Sequence, residues 1–339
     1  MKHFSLTANL LLLPLAIGCA SDKKVQAQAD QFDASLHAAE LSQPDVNAYF
    51  TAIGRRVQAA AKIADAQHYG PKSHFVKDES DQWMFSEKVQ FHLVNSKTLN
   101  AFTTGGYHVY VYNELFQQTT SEDELAAVIA HEFGHIYARH VHKGMNRSMA
   151  AMGIEGLAGA AGYVAGGSDN GAAFAKSGAS AGAMAAQFVN MGFTRGDEAQ
   201  ADELGFHFYC IAGWDPAHFG NFFKHMIAAG YDKTPAIESD HPTLASRVKA
   251  TDARVATLGA GATAHVIPNI ATPEEFRRYQ QLAVATGKSI PDDQTALQAK
   301  QMLQALPRSC WVPYEPADRQ GALDELLAEL HGKPAPAGQ

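Results

Sequence analysis

The chain has 339 residues, and 46% of them are hydrophobic, which is ordinary for a globular protein with a substantial core. Its formal net charge is -8, and its longest runs of Lys and Arg are pairs. Because nucleic acids are bound by clustered basic side chains, this composition argues against nucleic acid as a partner.

The first predicted element is an export signal, residues 1–18. MKHF supplies a short positive region, and LTANLLLLPLAIG is an apolar stretch too short to span a bilayer comfortably. LAIGC resembles a bacterial lipobox, in which Cys19 is lipidated and becomes the first mature residue; an ordinary signal peptide cleaved nearby is the alternative. With Ala20 after the cysteine, the sorting rules of Gram-negative bacteria imply an outer-membrane anchor and a periplasmic domain. Residues 19–44 are expected to form the lipidated tether.

A helix and a small sheet are expected next, at the start of a domain that spans residues 45–258. PDVNAYFTAIGRRVQAAAKI has apolar residues at helical spacing. KVQFHLVNS and GGYHVYVYN alternate apolar with polar or aromatic side chains, as strands do.

The following predicted helix, TTSEDELAAVIAHEFGHIYARHVHK, contains the motif HEFGH. Ser121 and Glu124 have the spacing of a capping box at its start. His131 and His135 share one helix face and can bind one metal ion, and Glu132 beside them suits a general base. Since zinc lowers the pKa of its bound water to about 7, the motif indicates metal-assisted peptide hydrolysis. The alternative is a coincidental histidine pair that hydrogen bonds satisfy.

A third protein ligand is expected, because catalytic zinc takes three and keeps one position open. The metzincin continuation is excluded, since Ala138 and Val141 stand at its glycine and third-histidine positions. GDEAQADELG offers Glu198 as the ligand and Asp202, one turn on, as the acceptor for the N–H of a ligand histidine. An acidic helix surface is the alternative interpretation of these two residues.

The remaining histidines near the motif are given no function. His140 and His142 are expected on other faces of the helix than the ligand pair. Residues 151–186 are rich in Gly and Ala, and glycine disfavours helix, so a flexible spacer is predicted, with contact to lipid or a partner as the alternative.

The C-terminal part, residues 259–339, is predicted to be a helical extension that includes TPEEFRRYQQLAVATG. Export implies an oxidising compartment, where Cys210 and Cys310 could form a disulfide. Two buried free thiols are the alternative.

Four ordered motifs together resemble the HtpX-like and CaaX-prenyl-endopeptidase family of zinc metallopeptidases, in its branch of exported bacterial lipoproteins. They are NAFTTGGYHVYV, HEFGH, the pair of Glu198 and Asp202, and SDHPTLASRV, and the resemblance covers roughly residues 45–255. It implies an α+β, mainly helical fold, with a zincin-like metallopeptidase domain of the gluzincin type and a small β-sheet beside the active-site helix. It also implies His131, His135 and Glu198 as ligands of one zinc ion per chain and Glu132 as general base and acid.

The same resemblance assigns residues around the cleft. Gly105, Gly106 and Tyr107 would lie on a strand to which an extended substrate adds by backbone pairing. His241 would lie near the metal and either stabilise the oxyanion or cap the open position in a resting state, and Arg247 would pair with acidic residues around Asp202. The alternative is that both residues simply hold the C-terminal helices in place.

The predicted function is therefore a zinc endopeptidase that hydrolyses unfolded or misassembled envelope proteins. A chaperone-like protein that binds envelope proteins in the same cleft, with latched or secondary proteolysis, is the alternative from another class. A purely structural zinc protein would need a fourth protein ligand.

Overall fold

A computed structural model describes residues 21–70, 79–147, 193–232, 242–259, 265–291 and 293–305. Most of them are helical and a small sheet packs among the helices, which confirms the predicted fold class. The α-helices are α1 (Asp22–Leu36), α2 (Pro44–Ala66), α3 (Asn113–Gln118), α4 (Glu122–Tyr137), α5 (Arg195–Ile211), α6 (Asn221–Ala228), α7 (Leu244–Thr257), α8 (Pro273–Ser289) and α9 (Gln294–Ala305). None of these described helices is both long and apolar enough to cross a membrane.

The sheet consists of β1 (Gln90–Val94), β2 (Ala101–Thr103) and β3 (His108–Tyr112), in the order β1-β3-β2. β3 pairs in parallel with β1, with His92 opposite Tyr110, and antiparallel with β2, with Phe102 opposite Tyr110. β3 is therefore the middle strand, and the short strand β2 is the edge that contacts α4.

Both faces of the sheet are buried. Val109 and Val111 pack into the main core with α2 and α4, whereas Tyr110 and Tyr112 pack into a second core with Phe32 of α1. Since side chains alternate between the two faces of a strand, the more polar half of the predicted alternation faces α1 and not water.

The expected tether is wrong for residues 22–36, which form α1. Val25, Ala29, Phe32 and Leu36 recur at helical spacing and are at most 1% exposed. Four apolar side chains at this spacing give a helix one face to bury, although the residues between them make the segment polar on average. The segment is thus part of the folded domain.

The predicted start of α4 at Ser121 is confirmed, but the carboxylate of Glu124 binds the residue before the N-cap instead of completing the capping box, and the predicted end of the helix is wrong. Ser121 Oγ accepts a hydrogen bond from the Glu124 N–H at 3.4 Å, and the Glu124 carboxylate accepts one from the Thr120 N–H at 2.7 Å. α4 ends at Tyr137, because Arg139 adopts a left-handed backbone with φ of 54°. Residues 140–147 then form a separate helical segment.

α4 and α5 approach each other at two glycines. A Cβ added at Gly134 would lie 2.9 Å from the carbonyl oxygen of Ala201, and one added at Gly205 would lie 2.9 Å from the backbone nitrogen of His131. Contacts this short with backbone atoms would force the helices apart. Glycine at both positions therefore permits the close packing.

Helices α8 and α9 are the described part of the predicted C-terminal extension. Thr272 and Glu275 form a capping box at the start of α8. Phe276 belongs to the main core, and the Gln280 amide donates to the carbonyl oxygen of Phe116 in α3 at 2.7 Å. This helix is therefore packed onto the main core.

Several predicted features lie outside the described residues, namely the signal peptide with Cys19, the Gly/Ala-rich residues 151–186, and Cys310. Cys210, in the last turn of α5, is half-buried, and burial raises the pKa of its thiol to about 12. The disulfide between Cys210 and Cys310 stays a prediction.

The close approach of α4 and α5 can be tested with two glycine variants. Gly205→Ala should lower the free energy of unfolding by about 1–3 kcal/mol, because the new methyl group would overlap the backbone of α4. Gly196→Ala is the control: its Cβ would meet nothing nearer than 3.6 Å, and alanine should raise stability by roughly 0.4–1 kcal/mol. Urea unfolding gives both values, and equal midpoints would contradict the proposed overlap.

Candidate metal centre

His131, His135 and Glu198 bring three donor atoms together between α4 and α5. The two Nε2 atoms of the histidines lie 3.0 Å apart. Glu198 Oε2 is 3.5 Å from His131 Nε2, and Glu198 Oε1 is 3.8 Å from His135 Nε2. All three side chains are fully buried. These residues can therefore share one metal ion.

The local sequence explains this convergence. His131 and His135 are four residues apart on α4 and so point in one direction. Glu198 lies in the first turn of α5, whose start is fixed by a capping box between Thr194 and Asp197. Asp197 is therefore a capping residue and also pairs with Arg147 at 2.8 Å.

Asp202 orients one of the histidines. Its Oδ1 lies 2.9 Å from His131 Nδ1, and Arg247 donates to both of its oxygens, at 2.8 Å from Nε and 2.6 Å from Nη2. Burial would raise the pKa of Asp202, but Arg247 and His131 lower it to about 2. Burial would likewise lower the pKa of His131, but hydrogen bonds to Asp202 and Glu198 raise it to about 9. The predicted pairing of Arg247 with Asp202 is present.

These donors fit a zinc ion. Two imidazoles and one carboxylate form a ligand set that zinc uses in hydrolytic enzymes. Because an ionised Asp202 only accepts hydrogen bonds, His131 Nδ1 must donate to it, so a bound metal ion would replace the proton on His131 Nε2 and take its lone pair.

His140 performs the corresponding task for His135, although its position in the sequence predicted no contact with the ligand pair. Gln200 Oε1 lies 3.0 Å from His140 Nε2 and also accepts from Lys143 Nζ at 3.4 Å. His140 Nε2 therefore donates to Gln200, so His140 Nδ1 can accept from His135 Nδ1 at 2.9 Å. Burial lowers the pKa of His140 to about 4, which keeps it neutral. The lone pair of His135 Nε2 is then free for a metal.

Helical periodicity could not reveal this contact. In a continuous helix, a residue five positions after His135 would point away from it. The left-handed backbone of Arg139 ends α4 first and turns His140 back towards the site. The sequence IYARHV contains no glycine or proline that would have marked this break. By contrast, His142 contacts Asp22 of α1 at 2.9 Å.

Two more side chains complete the described site. Glu132 follows His131 on α4 and is fully buried. The Phe193 ring stacks on the His135 imidazole, with 4.0 Å between ring centroids. This stacking contact restricts the rotation of the imidazole.

The residues predicted to line the cleft are arranged differently from the expectation. Gly105 and Gly106 are buried in the turn between β2 and β3, against Val141 and Ala29, so they do not form an open strand edge. Tyr107 follows them and is only partly buried. β2, which contacts α4, is an edge strand of the sheet. His241 lies outside the described residues, and its predicted function is untested.

Comparison with known proteins gives the family. The profile of Peptidase family M48 matches residues 75–255, slightly more than half of the chain. The beta-barrel assembly-enhancing protease of Yersinia pestis is 33% identical over 168 residues, which are 48% of this chain and 33% of that protein. Its counterpart in Escherichia coli (strain K12) is 30% identical over 175 residues, 50% of this chain and 35% of that protein. Metalloprotease LoiP of the same strain is 24% identical over 253 residues, 74% of this chain and 95% of that protein.

The chain thus carries the fold and site of a metallopeptidase and belongs to peptidase family M48. This confirms the enzyme class that the sequence predicted. The chain aligns with only about a third of the length of the beta-barrel assembly-enhancing proteases. The predicted branch of exported lipoproteins stays a prediction.

The hydrogen-bond chain through Gln200 and His140 can be tested by removing its first acceptor. Gln200→Leu should weaken zinc binding by about tenfold or more, because His140 would lose the partner that fixes its tautomer. Competition for zinc with a chromogenic chelator measures this affinity.

Glu203→Leu, on the exposed side of the same helix, is the control and should leave zinc affinity unchanged. If Gln200→Leu bound zinc as tightly as this control, the tautomer assignment would be wrong.

Proposed function

We propose that the protein is a zinc-dependent endopeptidase of the bacterial envelope that hydrolyses unfolded or misassembled proteins. The observation that supports this most directly is the convergence of His131, His135 and Glu198, with Glu132 next in sequence to the first of them. Membership of family M48 and the names of the relatives point to the same reaction class.

The residues of the site divide the chemistry among them. His131, His135 and Glu198 would hold the zinc ion, which when bound supplies a Lewis acid that polarises a carbonyl group and lowers the pKa of water. Glu132 would accept the proton of the attacking water at a carboxylate oxygen and return it to the leaving amine nitrogen. Asp202 and His140 keep the two imidazoles in the tautomers that metal binding requires.

The proposed substrate is an extended chain. β2 is the strand edge that contacts the active-site helix α4, so a peptide could add to it by backbone hydrogen bonds. This pairing depends on the backbone of the peptide rather than on particular side chains, and only an unfolded segment can form it. Gly105 and Gly106 would support β2 from the turn behind it, and Tyr107 would lie at the end of that turn.

The proposed location is the periplasmic side of the outer membrane. The lipobox-like LAIGC supports lipidation of Cys19. Two relatives are named for enhancing beta-barrel assembly, which supports an envelope protein as the substrate. His241 is proposed as the residue that stabilises the oxyanion or caps the metal in a resting state.

A chaperone-like activity is the second candidate, and one observation favours it. His131, Glu132, His135 and Glu198 are each 0% exposed, so substrate must displace neighbouring parts of the chain before it can reach them. A protein that binds substrates in this closed state would hold them without cleaving them.

Replacement of the proposed general base tests the peptidase. Glu132→Gln preserves the shape of the side chain but cannot accept a proton, so we expect cleavage of casein to fall by about 10²–10⁴-fold while zinc content is unchanged. Zinc is measured by elemental analysis and cleavage by the release of peptides.

Glu203→Gln, an exposed glutamate on α5, is the matched control and should cleave as the parent does. If the parent and Glu132→Gln both hold zinc and suppress aggregation of an unfolded protein without cleaving it, the chaperone-like candidate is correct and the peptidase proposal is wrong.

A further inference from the structure

A second group of metal-ligand type lies between α1 and the sheet. It comprises Asp33 of α1, His92 of β1 and His108 of β3, which are 8%, 5% and 3% exposed. His92 Nε2 and His108 Nδ1 are 3.0 Å apart, and each lies 3.5 Å from Asp33 Oδ1. None of these residues belongs to the candidate metal centre of α4 and α5.

Each histidine of this group has a carboxylate on its other nitrogen. Glu40 Oε1 lies 2.6 Å from His92 Nδ1, and Asp30 Oδ1 lies 3.0 Å from His108 Nε2. A carboxylate that lies beside a ring nitrogen and only accepts hydrogen bonds fixes the imidazole tautomer. The outer nitrogens therefore carry the protons, and His92 Nε2 and His108 Nδ1 present lone pairs to each other.

The carboxylate of Asp33 is also held in place by its neighbours. Tyr110 donates its hydroxyl hydrogen to Asp33 Oδ1 at 2.8 Å, and His37 Nε2 lies 3.0 Å from Oδ2. With neutral histidines, three acceptor atoms thus meet in a buried space with no donor among them. Such an arrangement is costly unless a cation lies between them.

The two groups share one design. In both, two imidazole nitrogens 3.0 Å apart face one carboxylate, at 3.5 Å and 3.8 Å in the first group and at 3.5 Å for both nitrogens in the second. In both, a further carboxylate lies within 3.0 Å of the far nitrogen of a histidine. A carboxylate behind the ligand histidine is the arrangement found around protein-bound zinc. Hydrogen bonding alone does not require three acceptors to converge.

We propose that Asp33, His92 and His108 bind a second divalent metal ion of the zinc type, which fastens α1 to the sheet. Two nitrogen donors and one oxygen donor suit zinc better than magnesium or calcium, which take mainly oxygen ligands. The ion would join three segments that are distant in the sequence. Asp30, which lies beside the far nitrogen of His108, has a side chain that is 57% exposed.

The test counts the metal ions that the full-length protein and three variants retain. His108→Gln removes a ligand of the proposed second site, His135→Gln removes one of the first site, and His265→Gln, an exposed histidine, is the control. After dialysis against zinc, the parent and His265→Gln should hold two ions per chain, and each of the other variants one. Zinc affinity of the lost site should fall by at least a hundredfold.

A second measurement covers the case in which His108→Gln does not fold. His135→Gln leaves the second group intact, so it should bind one Co²⁺ with the visible absorption of a site with nitrogen and oxygen ligands. Its thermal unfolding temperature should rise as zinc is added, because only the folded protein assembles the site.

Three outcomes separate this proposal from the proposed function. If the parent holds one ion and a folded His135→Gln holds none, the second site is wrong and a proton shared by His92 and His108 replaces the metal. If the parent holds one ion that His135→Gln keeps and His108→Gln loses, the second site is correct and the catalytic centre is wrong. Absence of zinc and Co²⁺ binding by folded His135→Gln would also overturn the proposal.

Discussion

The near contact between the backbones of α4 and α5 is the constraint on which the rest of the site depends. Gly134 and Gly205 allow this approach, and it places the first turn of α5 beside the middle of α4. Glu198 can therefore reach His131 and His135, and Asp202, one turn later, can reach the far nitrogen of His131. A larger separation would move Glu198 out of reach of both histidines and break the contact between Asp202 and His131, which would leave buried polar groups with fewer partners.

The sequence predicted those parts of the site that follow from spacing within one helix. His131 and His135 on α4, and the pair of Glu198 and Asp202 on α5, are each four residues apart, and regular helices hold each pair on one face. The mainly helical fold with its small sheet was also predictable from periodicity. His140 was not, because its position depends on a single left-handed residue, Arg139, that no glycine or asparagine marks.

The N-terminal segment shows a different limit of prediction. α1 is polar on average. Its four apolar residues predict a buried helix only once it is known that the second face of the sheet packs against another element. On that face, the partners of His92 and His108 are Asp33, Asp30 and Glu40. Glu40, the nearest of them in sequence to His92, lies 52 residues before it. Periodicity describes neighbours along the chain, so it cannot pair a strand with a distant helix.

The start of α1 at Asp22 has a mechanical consequence for the proposed lipoprotein. A chain covers at most about 3.3–3.6 Å per residue, so a lipid on Cys19 would hold the folded domain within roughly 10 Å of the bilayer surface. A flexible segment of the length first expected would have allowed a reach several times greater. The enzyme would then act within a thin layer of the periplasm next to the membrane. Proximity to the membrane, in addition to the chemistry of the cleft, would decide which polypeptides it meets.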